Sequence, residues 1–169
     1  IDPIIVEPEI LYYSVNSKVK YNVNVTDKKS EDIKSLVTAS VKNYNNIYLN
    51  DFNSTLHYSK LIADIDDSDP SIVSNDTFIL LYKKIQPTLA TSQSFTINFY
   101  TELLGTNELQ NKHSVDDLHS IRSTPFTMNG ELVSFGDDGL GSVTIAKTVG
   151  DTHTIVSRVG TVDYTTGKV

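Results

Sequence analysis

The segment DIDDSDP, Asp64 to Pro70, sets four carboxylates in seven residues between the apolar run beginning KLIA and the later run FILLY. Such a density of hard oxygen ligands could hold a calcium ion. An EF-hand-type loop needs oxygen side chains at positions 1, 3 and 5, glycine at 6 for the sharp turn and a bidentate glutamate at 12. Asp64, Asp66 and Ser68 meet the first three demands, whereas Asp69 stands at the glycine position and Asn75 at the glutamate position. The competing reading makes Asp66, Asp67 and Asp69 turn formers at a helix end that Pro70 stops. Carboxylates are unfavourable at a helix C-terminus, which counts slightly against that reading. The failed loop positions weigh more, so no metal ligand is assigned.

Other chemistry finds less support. GDDGLG, Gly136 to Gly141, is glycine-rich, but a phosphate loop continues into a helix through GK[ST], and here SVTIAK follows, a strand pattern. A hairpin turn is expected, with Gly139 and Gly141 supplying positive φ. The histidines His57, His113, His119 and His153 are 56, 6 and 34 positions apart, matching neither a zincin helix nor a zinc finger, and there is no cysteine to complete a site. No G-x-S-x-G elbow or other motif holds a nucleophile against a base, so no catalytic or cofactor-binding residue is assigned and no enzymatic activity is expected. The nine tyrosines, among them Tyr12, Tyr13, Tyr44, Tyr48 and Tyr58, could form a stacking platform for carbohydrate or nucleic acid. Core packing with a polar tip accounts better for those on apolar stripes.

Composition bounds the partners. At 169 residues the chain can bury about 70% of its unfolded surface, and no apolar run approaches the ~20 residues of a membrane helix. A formal charge of −7 with scattered basic residues argues against a phosphate backbone as ligand. Neither nucleic acid nor a membrane is expected as a partner. Without cysteine the fold rests on packing and hydrogen bonds. The one methionine, Met128, lies far from the opening Ile1, and the pattern GTVDYTTGKV stops just past a turn. A piece of a longer protein is therefore expected, with an open edge beside its last strand.

The elements that must position these residues follow from periodicity. In SKVKYNVNVTD, Val19, Tyr21, Val23 and Val25 alternate with polar residues, the period of a half-buried strand. Ser30 is placed as an N-cap with Glu31 and Asp32 behind it, and Ile33, Leu36, Val37, Val41, Tyr44 and Tyr48 line one helix face. Ser59 is placed as the cap of a shorter helix carrying Leu61, Ile62 and Ile65, and TFILLYKKI and SFTINFYTELL follow as strands. The expected class is α+β, a small helix-on-sheet sandwich over residues 1–104, then a connecting loop at 105–123. A β-rich unit of hairpins follows over 124–169, built from the runs TPFTMNGEL, GSVTIAK and TIVSRVGTVDY.

Two stretches carry the reading further. YLNDFNSTLHYSKLIADIDDSDPSIVSNDTFILLYKKIQP resembles the region of baseplate J-like proteins in which a short helix, an acidic turn and an apolar strand follow one another. STPFTMNGELVSFGDDGLGSVTIAK followed by VGTVDYTTGKV is similar to the C-terminal part of the large baseplate wedge protein family of T-even-type contractile-tailed bacteriophages, and the order holds from IIVEPEILYYSVNSKVKYN to Val169. The resemblance implies a structural acidic turn, no catalytic residue and no cofactor. It implies a place in the virion's tail baseplate after folding in the host cytoplasm. The partners implied are other baseplate wedge and hub proteins, with self-association of the full-length protein in a ring around the hub. Two other functions compete with it. One is a carbohydrate- or receptor-binding β-rich module of a viral or surface protein, and the other a calcium-dependent enzyme or adhesin using DIDDSDP.

Overall fold

The computed structural model describes residues 9–88, 91–103, 120–149 and 152–169. The expected α+β architecture is the one observed. Strand β1 (Tyr12–Tyr21) leads to helix α1 (Ser30–Tyr44), a π-helical turn (Asn45–Leu49), helix α2 (Tyr58–Asp66) and strand β2 (Ile72–Tyr82). Strands β3 (Phe126–Met128), β4 (Glu131–Asp137), β5 (Ser142–Val149) and β6 (Thr152–Thr161) come after. The chain divides into two compact units, one running Tyr12–Leu81 and the other drawn from the chain on either side of it. Most of the loop expected at 105–123 lies outside the described residues.

In the first unit β1 and β2 form a two-stranded sheet. They run antiparallel, since Asn22 N–H bonds the Ser71 carbonyl at 2.8 Å while Ser17, earlier in the chain, meets Thr77, later in it. A two-stranded sheet needs a packed face to persist. Here α1 and α2 supply it, with Tyr44, Leu61 and Ile65 fully buried and Val15, Val19, Val37, Val41 and Ile79 against them. The α1 stripe thus lies where its periodicity puts it. Glu31 and Asp32 occupy the first turn, and the Asp32 carboxylate accepts the Lys29 N–H at 2.9 Å, so Lys29 rather than Ser30 is the cap.

Three local expectations are corrected. β1 begins earlier than SKVK and ends at Tyr21, leaving Val23 and Val25 67% and 62% exposed. The cause is Asn22, whose side-chain oxygen takes the Asn24 N–H at 2.9 Å and turns the chain out of the strand. Helix α2 starts at Tyr58, one residue before Ser59, because the Tyr44 hydroxyl accepts the His57 N–H at 2.9 Å and donates to the His57 carbonyl at 3.1 Å. A buried hydroxyl thus fixes the residue that opens the helix. Tyr48 leaves the core stripe and is 37% exposed, since the π-helical turn inserts an extra residue into the repeat.

The second unit carries an antiparallel meander in the order β3-β4-β5-β6. Val133, Val143, Ile145 and Ala146 are buried, and consecutive buried residues along β5 mark it as covered on both faces. TPFTMNGEL is two strands rather than one, because Asn129 (φ 53°) and Gly130 (φ 81°) make a tight hairpin turn. GDDGLG is the expected turn between β4 and β5, with Gly139 at φ 71° and Gly141 at φ 98°. SFTINFY forms no regular strand. Asn98 makes a single bridge to Lys168, and Tyr100 sits at φ 57° with its N–H on the Asn98 side chain at 2.8 Å. The backbones of Ile97 and Val169 exchange two hydrogen bonds of 2.8 Å, so the edge beside the last residues is paired with this segment.

Candidate interaction surface

DIDDSDP closes α2 and splits into two functional halves. Asp66 and Asp69 turn inward. Asp66 accepts the Asn75 amide at 2.7 Å, Asn75 accepts the Thr77 hydroxyl at 2.6 Å, and Thr77 lies 2.7 Å from Ser17. A hydroxyl donates one proton, so with Thr77 donating to Asn75 the last bond runs from Ser17 to Thr77. The result is a directed polar chain tying α2 across β2 to β1. Asn75, at the position where a calcium loop needs an acidic ligand, faces Asp66 with its amide donor instead.

Asp69 is buried and accepts the Lys28 ammonium at 2.5 Å, the Ser71 hydroxyl at 2.6 Å and the Ser71 N–H at 2.9 Å. The Lys28 bond, with the two from Ser71, holds its carboxyl down at about 2. Asp66 and Asp69 thus each hold a donor from the chain itself. Among the described residues no three histidine, aspartate or glutamate side chains converge on one point.

Asp64 and Asp67 are the outward half. Three residues apart, they share one face of the end of α2. With Leu36 and Ala39 of α1 and Ile47 and Tyr48 of the π-helical turn they line a shallow groove of about 420 Å³. The Ser40 hydroxyl donates to the Asp64 carbonyl at 2.6 Å and pins the two helices side by side at this place. Ile47 is 56% exposed. The Tyr48 ring stands 5.1 Å from that of Tyr44 and carries the Lys60 ammonium 3.7 Å above its centre.

The remaining candidates are placed elsewhere. His57 is exposed and opens α2, His153 lies in β6, and His113 and His119 fall outside the described residues. In GDDGLG, Asp137 is buried and accepts the Tyr164 hydroxyl at 2.6 Å and the Ile121 N–H at 3.0 Å. Burial first, then this bond, pushes the Tyr164 hydroxyl up to about 12. Asp138 accepts the Leu140 and Ser142 N–H groups, both at 2.9 Å, and lies 3.5 Å from Arg158. Those amide bonds, Ser142 first, lower its carboxyl. Asp138 therefore fastens the hairpin turn, and Asp137 ties Ile121 and Tyr164 to it. The tyrosines form no common platform, since Tyr44 is buried, the Tyr13 hydroxyl is on Asn45, and that of the exposed Tyr58 is on the Thr77 carbonyl at 2.7 Å. The groove itself was missed in sequence reading, because only the pairing of α1 with α2 brings Leu36 and Ile47 beside Asp64.

Residues 9–84 match the family described as baseplate structural protein gp6, C-terminal domain III. Over 142 residues, 83% of the chain, it is 26% identical to the baseplate wedge protein gp6 of Enterobacteria phage T4, of which this covers 19%. The chain is thus similar to a baseplate wedge protein over most of its length. It spans about a fifth of the length of that curated relative.

Proposed function

We propose that the chain is a structural part of a phage tail baseplate wedge, acting through protein–protein contacts that link wedges into a ring around the hub. The similarity to a baseplate wedge protein along 83% of the chain carries this reading. The surface is compatible with it. The outer face of β2 exposes Phe78, Leu80 and Tyr82, and the edge strand β6 exposes Ile155, Val156 and Val159. Apolar residues gathered on strands are the usual material of contact surfaces. The family reading brings with it a non-enzymatic role and a place in the virion tail.

The test is native mass spectrometry of the chain over a concentration series, alone and mixed with the purified wedge proteins of its own phage. A stoichiometric complex with at least one wedge component is expected. A chain that stays by itself beside every one of them overturns the reading.

A further inference from the structure

The acidic groove beside α2 belongs to neither the core nor the turn that DIDDSDP closes. Its lining combines the apolar Leu36, Ala39 and Ile47 with Asn43, Ser68 and the two aspartates Asp64 and Asp67. Asp66 and Asp69, their neighbours in sequence, are both bonded within the chain. Among the described residues no cation or hydrogen-bond donor reaches the side-chain oxygens of Asp64 or Asp67. Lys60, on the same helix, is held over the Tyr48 ring.

The helix geometry here is also unusual. A π-helical turn is rare, costs hydrogen-bond quality and tends to occur where function requires it. In this chain the turn Asn45–Leu49 directs Ile47 into the groove and leaves it more than half exposed. A regular continuation of α1 would shift Ile47 and Tyr48 around the helix by about 100° per residue gained.

We infer that this groove is the docking site for a segment of another baseplate protein, one that presents an apolar side chain flanked by lysine or arginine. The apolar side chain covers Leu36, Ala39 and Ile47, and the cation meets Asp64 and Asp67. Charge complementarity selects this occupant over an acidic or purely apolar one, because an apolar segment would leave two carboxylates shielded and unpaired. The inference rests on the assembly reading only in taking the partner to be a baseplate protein.

The test titrates the full chain with the peptide acetyl-Lys-Leu-Leu-Lys-amide, followed by backbone amide NMR shifts, beside acetyl-Glu-Leu-Leu-Glu-amide. Shifts concentrated at Leu36, Ala39, Ile47, Asp64 and Asp67 are expected with the basic peptide alone. The variant carrying Asp64→Asn and Asp67→Asn binds it about fivefold more weakly, the loss of two partly exposed ion pairs. Neither aspartate side chain bonds the fold, so the melting temperature stays within a degree or two, and Ile47→Arg blocks the groove independently. Shifts scattered over the acidic surface, or equal binding by the double variant, overturn the inference. In the mass-spectrometric mixture, a wedge complex that forms equally well with the double variant overturns the groove and leaves the assembly role standing. Absence of any complex with the unaltered chain strikes the assembly role instead.

Discussion

Two aspartates five residues apart do opposite work, and burial distinguishes them. Asp64 lines a groove, whereas Asp69 is closed in by Lys28 and Ser71. A carboxyl at about 2 in the fold and ~4 in the unfolded chain binds its proton less readily when folded. Its contribution to stability is therefore complete above about pH 4 and is lost as the pH falls towards 2. The carboxyls of Asp138 and Asp163 are also lowered, the latter mainly by its bonds from Thr166, and they add to the same loss. Replacing Asp69 by Asn should lower the melting temperature at pH 7, where Lys28 loses its partner, and the two melting curves should converge near pH 2. A gap that persists at pH 2 would show that Asp69 acts through shape rather than charge. At the core, Tyr44→Phe removes the hydroxyl that serves both the N–H and the carbonyl of His57. It leaves a backbone N–H unsatisfied, at a cost of about 1–3 kcal/mol in urea unfolding.

At the scale of elements, glycines at positive φ separate conformational from steric demands. A Cβ on Gly130 would meet nothing within 4 Å, whereas one on Gly167 would lie 2.1 Å from the Thr101 carbonyl oxygen. Gly130→Ala is therefore expected to cost only the left-handed backbone, about 1–2 kcal/mol. Gly167→Ala should cost more and detach the final residues from Ile97 and Phe99, visible as faster amide exchange at Ile97 and Phe99, whose N–H groups bond Val169 and Gly167. Equal costs would contradict the packing. The same elements show what a sequence discloses. The α1 stripe from Ile33 to Tyr44 was readable because its period comes from one helix packing on one face. The positive φ of Gly139 and Gly141 was readable because few other residues accept it. Helix and strand ends were not, since Tyr44 sets the start of α2 from 13 residues away and the Asn22 side chain ends β1. The Asn129-Gly130 turn carried a clear hairpin signal that the apolar run around it obscured. DIDDSDP disclosed its turn, but its division into bonded and free carboxylates required the partners Lys28 and Asn75, 41 and 9 residues distant from Asp69 and Asp66.

At the scale of the molecule, the unit running Tyr12–Leu81 contains a core of its own. Both strands of its sheet lie within it apart from the final Tyr82, as do both helices and the full set of core side chains around Tyr44, Leu61 and Ile65. The polar chain from Ser17 to Asp66 and the Lys28–Asp69 ion pair also begin and end inside it. The family match over residues 9–84 coincides with this unit almost end to end. Residues 9–84 expressed alone should therefore fold, giving dispersed amide NMR signals and a single cooperative thermal transition. At this length stability is marginal, a few kcal/mol, because a small unit buries a smaller fraction of its surface. Two substitutions calibrate the result. Leu61→Ala opens a cavity in the core and should unfold the isolated unit, since large-to-small changes at buried leucines cost about 2–5 kcal/mol. Leu80→Ser, on the exposed outer face of β2, should leave it folded. Collapsed NMR signals for the unaltered unit would mean that its stability is borrowed from the rest of the chain. An unfolded Leu80→Ser variant beside a folded parent would mean that the outer face of β2 is part of the core rather than surface left for a neighbour.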